Sequence, residues 1–280
     1  MSSVLSKVGR NNRVRMASWP ETIERWLSGL NSVNILVTGK GFTGKSSLIN
    51  GIVGQSVAKE HDKLNRELVE AAVQAFPFKY HDVDITIWDS PGLQDGSDKD
   101  EEYIRDMISK GCADADLVFY CTRMNDTRFR QEDYVAIKKI TRGLGKGIWN
   151  NAIFVMTFAN ECCIIHKHGQ NLTPKEKRNR KSDVFKKQLK NWNERLAAAV
   201  VEAGVDVKIA AGIPIVPVGY EVKQALPNCD NWLNSLWYAS TSQVKEQLQS
   251  ALKKAYFNQI LSGVFAWNLL IILLHVYHIV

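Results

Sequence analysis

Residues 39 to 46 read Gly39-Lys40-Gly41-Phe42-Thr43-Gly44-Lys45-Ser46, matching G-x-x-x-x-G-K-[ST] at every fixed position. Such a loop works only where a buried strand delivers it and a helix leaves it, so it restricts the fold as well as the ligand. Both flanks are present. The apolar run Val33-Asn34-Ile35-Leu36-Val37 precedes it as a buried strand, and Ser47-Leu48-Ile49-Asn50-Gly51-Ile52 follows as a helix start. Gly39, Gly41 and Gly44 let backbone N–H groups turn inward around a phosphate, with Phe42, Thr43 and Ser47 completing the cradle. Lys45 supplies a cation for the β- and γ-phosphates, and the Ser46 hydroxyl is placed to ligate Mg²⁺. The expected ligand is a nucleoside triphosphate.

A phosphate loop alone does not separate ATP from GTP. About 45 residues downstream, the β-type run Ile85-Thr86-Ile87-Trp88 ends in Asp89-Ser90-Pro91-Gly92. This is a D-x-x-G arrangement. It pairs an Asp beside the Mg²⁺ water shell with Gly92, whose N–H can sense a γ-phosphate. A Ser-Pro-Gly turn is common in isolation, but at this distance behind a phosphate loop the pair reads as a regulatory GTPase.

At 280 residues and 45% hydrophobic content, the chain can hold one sizeable domain with a full core and short appendages. Apolar runs at 33–38, 85–89, 117–121, 152–158 and 213–218 alternate with helical patterns. Alternation predicts an α/β fold, a mostly parallel sheet with helices on both faces, and nucleotide at the carboxyl ends of its strands. The five cysteines, Cys112, Cys121, Cys162, Cys163 and Cys229, show no metal-ligand spacing and read as reduced thiols. Residues 1 to 18 are basic and polar, without the apolar core of a signal peptide.

Two further stretches carry a resemblance. Thr122-Arg123-Met124-Asn125-Asp126-Thr127-Arg128 follows the run Leu117 to Cys121, as a D-R-L-x-x-x-R segment does; Leu226-Pro227-Asn228 with Trp232, Leu233 and Leu236 is similar to L-P-x-G-x-x-W-[IL]. Together with residues 39 to 50 and 89 to 93, they resemble the septin-related GTPases. Within these, they are most similar to the group of the GIMAP immune-associated proteins and the Toc receptors of the chloroplast envelope. The resemblance covers roughly residues 25 to 240. It implies a G domain that binds GTP or GDP with Mg²⁺ and forms a homodimer across its nucleotide face. It further implies that Arg128 matches an arginine reaching towards the partner's nucleotide; an ordinary surface charge is the other reading of that residue.

Base recognition departs from the usual [NT]-K-x-D, for the corresponding stretch is Thr157-Phe158-Ala159-Asn160. Phe158 can stack on a base in place of the Lys stem, while Asn160 is a neutral partner where an Asp accepts from guanine. The resemblance points to a Glu in a later loop: Glu221, just past the run Ile213 to Val218, is the first candidate and Glu161 the second. Catalysis is weakly equipped. Leu93 rather than Gln follows Gly92, with Gln94 one place later, and no Thr lies between the first helix and Ile85 to close on Mg²⁺. The helical stretch Leu64 to Glu70 is also unusual for a switch. Slow hydrolysis is expected, carried by Lys45 and, in a dimer, Arg128.

The end of the chain differs in kind. Leu261 to Val280 holds twenty residues with no formal charge, a length of about 30 Å as a helix, which matches one bilayer core. Apolar residues lie on all sides, and Lys253 and Lys254 suit the cytosolic side. Asn268, His275 and His278 speak against it, and a buried C-terminal helix is the alternative. From Lys175 to Lys190 there are eight Lys or Arg against two acids. A solvated helix face or attraction to anionic headgroups both fit, and nothing marks a nucleic-acid site. The expected organisation is a basic extension over 1–24, a G domain over 25–240, a helical linker over 241–260 and a membrane tail over 261–280. Three functions remain open: a membrane-anchored GTPase switch that dimerises or recruits other proteins, a GTP-binding scaffold that barely hydrolyses, and an ATP-using P-loop enzyme.

Overall fold

The computed structural model describes residues 32–54, 56–58, 72–80, 83–93, 98–126, 128–161, 173–219 and 225–243. The expected helix over Leu64 to Glu70, Gln94, Cys162, Cys163, Glu221 and the tail 261–280 lie outside them. Among the described residues, no helix is long and apolar enough to cross a membrane.

Six strands form one sheet: β1 (Ser32–Gly39), β2 (Gln74–Tyr80), β3 (Val83–Asp89), β4 (Leu117–Arg123), β5 (Ala152–Thr157) and β6 (Ile215–Pro217). Their order is β2-β3-β1-β4-β5-β6. Every neighbouring pair is parallel except β2 with β3, whose antiparallel register runs from Gln74 opposite Asp89 to Tyr80 opposite Val83. The central strands read as unbroken apolar runs because helices cover both faces. Ile35, Leu36, Val37, Phe119, Tyr120, Ile153, Phe154 and Val155 are all fully buried.

The helices are α1 (Lys45–Val53), α2 (Asp98–Ser109), α3 (Gln131–Leu144), α4 (Pro174–Glu202), α5 (Val207–Gly212) and α6 (Trp232–Gln243). Helix α4 begins with Thr173 accepting from the Glu176 N–H while the Glu176 carboxylate accepts from the Thr173 N–H, and Pro174 opens its first turn. Phe185, Trp192, Leu196, Ala199 and Val200 are its buried side, and Lys175, Arg178, Lys181, Lys186, Lys187 and Lys190 are exposed. The basic run is therefore a solvated face of α4. Trp232, Leu233, Leu236 and Trp237 are buried on α6, which packs against β5 and β6, and Leu226 is buried just ahead of it. The stretch Leu226 to Leu236 thus closes the β6 edge of the core.

Three local features differ from the sequence expectation. Helix α1 starts at Lys45, two residues early, because Gly44 adopts φ +77° and can itself turn the chain into the helix. Only Ile215–Pro217 of the run 213–218 is a strand; Pro214, which has no N–H, precedes it, and the Pro214 carbonyl and Val218 N–H add single bonds to Phe154 and Met156. Strand β2 was not anticipated. It is an edge strand, where Pro77 is tolerated, with Phe76 and Phe78 half-buried between exposed neighbours.

Candidate nucleotide-binding site

Strand β1 leads into the loop Gly39 to Gly44, with β3 and β4 on either side, so the ends of three strands and the start of α1 surround the loop. Gly39 has φ +141°, and a Cβ there would lie 2.4 Å from the Cys121 carbonyl oxygen. Only glycine fits so close to β4. Gly41 N–H donates to the Leu93 carbonyl at 3.2 Å, and the Leu93 N–H donates to the Gly39 carbonyl at 3.2 Å. A Cβ on Gly92 would lie 2.3 Å from Gly41 Cα, so the D-x-x-G turn rests directly on the phosphate loop.

Lys45 is 7% exposed and donates to the Lys40 carbonyl at 2.9 Å, which also accepts from the Thr43 hydroxyl at 2.9 Å. Burial pushes the Lys45 ammonium below its ordinary pKa, against the opposing pull of the Asp89 carboxylate. The group is a cation held in a poorly solvated place, as an ammonium waiting for phosphate oxygens should be. Ser46 donates to Asp89 Oδ2 at 2.9 Å, so the two expected metal ligands meet. Cys121, next to them, is no nucleophile, for burial pushes its thiol up to about 12. The Lys40 side chain leaves the loop and pairs with Asp133 at 2.9 Å; Asp133 also accepts from the Arg130 N–H at the start of α3.

The segment expected to read the base, Thr157 to Asn160, lies against this loop. The Thr157 hydroxyl is buried within reach of two carbonyls, Thr43 at 2.7 Å and Thr122 at 3.1 Å, tying β5 and β4 to the loop. Phe158 takes φ +54°, a left-handed conformation rare for an aromatic residue. Its ring lies against Gly44, where a Cβ would come within 3.0 Å of Cε2. Gly44, Ser47, Leu48, Thr157, Phe158, Val218 and Gly219 line one pocket. Asn160 is half-buried beside it; Glu161 is exposed and accepts from Asn125 at 2.9 Å.

Arg128 is exposed in the approach to α3, on a loop leading away from β4. Leu93 is 1% exposed and bound through both backbone groups. Arg123, which sequence reasoning did not select, is central: its guanidinium lies 4.2 Å from the Phe158 ring centroid, and Nη1 donates to the Phe42 carbonyl at 3.3 Å. The signal that could have found it was Phe158 itself, which replaces a lysine and so leaves a cation missing.

The chain is 34% identical over 140 residues to Translocase of chloroplast 34 of Pisum sativum, covering 46% of this chain and 41% of that protein. It thus spans about two-fifths of that relative's length. Toc33 from Arabidopsis thaliana, solved in complex with Mg²⁺ and GMPPNP, superposes with a TM-score of 0.63 at 20% identity over 81% of this chain and 92% of that one. A further structure, from work on dimerization and GTPase activity of the translocon components atToc33 and psToc159, gives 0.61 at 20% identity over 81% and 92%. These likenesses show a shared α/β P-loop GTPase fold. A model of the AIG1 family matches residues 33–189, more than half of the chain, and with the phosphate loop and D-x-x-G turn in contact this protein belongs to the AIG1 family.

Proposed function

We propose that this protein is a guanine-nucleotide-binding switch that hydrolyses GTP slowly, dimerises across its nucleotide face, and is held at a membrane by residues 261–280. The contact of Gly92 with Gly41 carries the reading: a turn that rests on the phosphate loop shifts with whatever that loop holds. The residues suit a nucleotide with Mg²⁺. Ser46 and Asp89 are hard oxygen donors already 2.9 Å apart, and Gly39 and Gly41 leave a backbone cradle with no Cβ in it. Mg²⁺, when bound there, would neutralise phosphate charge. Lys45 supplies the fixed cation, and Phe158 the flat wall for the base. Asn160, Glu161 and Glu221 are the candidate guanine readers. Glu161 is oriented by Asn125, and Glu221 follows two residues after the pocket residue Gly219.

Slow turnover follows from Leu93. Its side chain is buried and its backbone is bound to Gly39 and Gly41, so the position after D-x-x-G holds the loop and orients no water. The same observation supports a second reading, a scaffold with negligible hydrolysis. Arg128, exposed on the approach to α3, is free to meet a partner and to act there in catalysis. The membrane tail rests on its apolar length, and the chloroplast translocases that this chain resembles suit such an address.

Titration of labelled GDP, GTP and ATP, with turnover and sedimentation on the same samples, tests the proposal. GTP and GDP should bind in preference to ATP, and turnover per protein should rise as dimers form. Arg128→Ala should flatten that rise while leaving nucleotide binding intact. ATP binding as tight as GTP would sink the guanine reading; specific activity that stays flat through dimer formation would leave the scaffold. Deleting residues 261–280 should release a carbonate-resistant protein into the soluble fraction, and a full-length protein already soluble without detergent would remove the anchor.

A further inference from the structure

A lysine at position 158 would bring two things to a nucleotide pocket, an apolar stem to lie along the base and an ammonium at its end. Phenylalanine brings only the first. The structure supplies the second from a different strand. Arg123 closes β4, 35 residues earlier in the chain, and its side chain is only 16% exposed. Its guanidinium lies over the Phe158 ring, donates through Nη1 to the phosphate-loop carbonyl of Phe42 at 3.3 Å, and through Nε to Asn125 at 3.1 Å. Among the described residues, the carboxylate that pairs with it is Asp126, at 4.0 Å. The guanidinium therefore lies over a ring and is bonded to two neutral oxygens at closer range than to its carboxylate partner.

Phe158 lines the pocket, whereas Arg123 lies over its ring and is not among the residues that line that pocket. Other bonds join the same segments: Met124 N–H donates to the Thr157 carbonyl at 2.8 Å, Asn125 donates to Glu161, and the Thr157 hydroxyl reaches the phosphate-loop carbonyl of Thr43 at 2.7 Å. These bonds hold the strand ends, while Arg123 lies over the face of the ring and Gly44 against its edge atoms. We propose that Arg123 is a positioning residue for the nucleotide base: it holds the Phe158 ring flat against the pocket in its left-handed backbone and links that ring to the phosphate loop. Arg123 and Phe158 together do what one lysine does in [NT]-K-x-D. The inference rests on the nucleotide reading above.

The test uses the full-length protein and N-methylanthraniloyl-GDP, whose release is followed by chase with excess GDP. Arg123→Met keeps an apolar stem and removes the charge; release should accelerate by about threefold to thirtyfold, the range of a partly desolvated cation–π contact. Arg123→Lys should recover most of the loss. Because both residues act through one stack, Arg123→Met added to Phe158→Leu should release no faster than Phe158→Leu alone. The thermal midpoint without nucleotide should move little in any of the three. Wild-type release from Arg123→Met would overturn the proposal. So would additive effects in the double variant, or a fall in thermal midpoint that tracks release and that lysine does not repair. If the wild-type protein itself fails to bind the probe, the nucleotide reading falls rather than this division of labour.

Discussion

Replacing Lys45 by Met should strengthen the domain without nucleotide and weaken it with nucleotide. Without ligand, the Lys45 ammonium is 7% exposed and has one neutral acceptor at 2.9 Å; burial pushes its pKa down more than Asp89 pulls it up. Methionine fits the same stem with no charge to desolvate. Asp89 is half-buried and keeps the Ser46 hydroxyl, so its charge is not stranded. Taking an ion out of water costs several kcal/mol before its partners offset it, so removing an ammonium whose pKa burial depresses should stabilise by about 1 to 4 kcal/mol. Taking the lower end, the midpoint should rise by about 2 to 4 °C for a domain of this size. With nucleotide the order reverses. Losing charge-assisted bonds to phosphates weakens affinity by about a hundredfold, or about 2.7 kcal/mol. At a GDP concentration that stabilises wild type by about 2.7 kcal/mol, the variant then gains only about 0.4 kcal/mol. Thermal melting of both proteins, with and without GDP and Mg²⁺, should show the two orders. The gap without nucleotide should also close as pH rises. A native pKa below the unfolded value of about 10.4 means that the folded protein releases the Lys45 proton first, so wild type recovers stability between those two values. A Lys45→Met protein that melts lower without nucleotide would refute the reasoning, because the ammonium would then be net stabilising in the empty cradle.

Gly92→Ala places a Cβ 2.3 Å from Gly41 Cα, against backbone that cannot swing aside; a loss of about 1 to 3 kcal/mol in urea unfolding is expected, with weakened nucleotide binding. Thr157→Val removes the hydroxyl shared by the Thr43 and Thr122 carbonyls and should lower unfolding free energy by about 1 to 3 kcal/mol, with faster nucleotide release. For Asp106, burial pushes the carboxyl up, but the Val73 N–H at 2.6 Å and Lys110 at 2.9 Å outweigh it and hold the pKa below the ordinary value. Its contribution is present above the unfolded pKa of about 3.9 and is lost as pH falls through the native one, so Asp106→Asn should flatten the acid limb of stability below about pH 4.

The parts of this fold that were legible in the sequence are those fixed by short-range pattern. Val33 to Val37, Leu117 to Cys121 and Ala152 to Phe158 are continuous apolar runs because β1, β4 and β5 are covered on both faces, and burial of that kind leaves an unmistakable trace. Strand β2 left little trace: it is half-buried, carries Pro77, and owes its place to seven cross-strand partners on β3 rather than to its own composition. In the site, the phosphate loop, Asp89 and Gly92 could be read because their spacing is the chemistry. Arg123 left only an indirect trace, the lysine missing at Phe158; that the two meet, one closing β4 and the other just past β5, is not revealed by a sequence distance of 35 residues. Leu93 was legible only as an absence of Gln; that it serves as a backbone strut between Gly39 and Gly41 belongs to the packing.

The pocket wall that begins at Gly44 is finished by Val218 and Gly219, about 175 residues later. During synthesis at roughly 5 to 20 residues per second, the phosphate loop therefore leaves the ribosome some 9 to 35 seconds before the last wall of its pocket. Strands β1 and β3 can pair in that interval, but a nucleotide would find no base wall from Thr157 and Phe158 and no floor from β6. Nucleotide thus has little to hold until nearly the whole core has emerged, and what it then stabilises is the finished domain. A chain truncated before β6 should therefore gain less stability from nucleotide than the complete domain does.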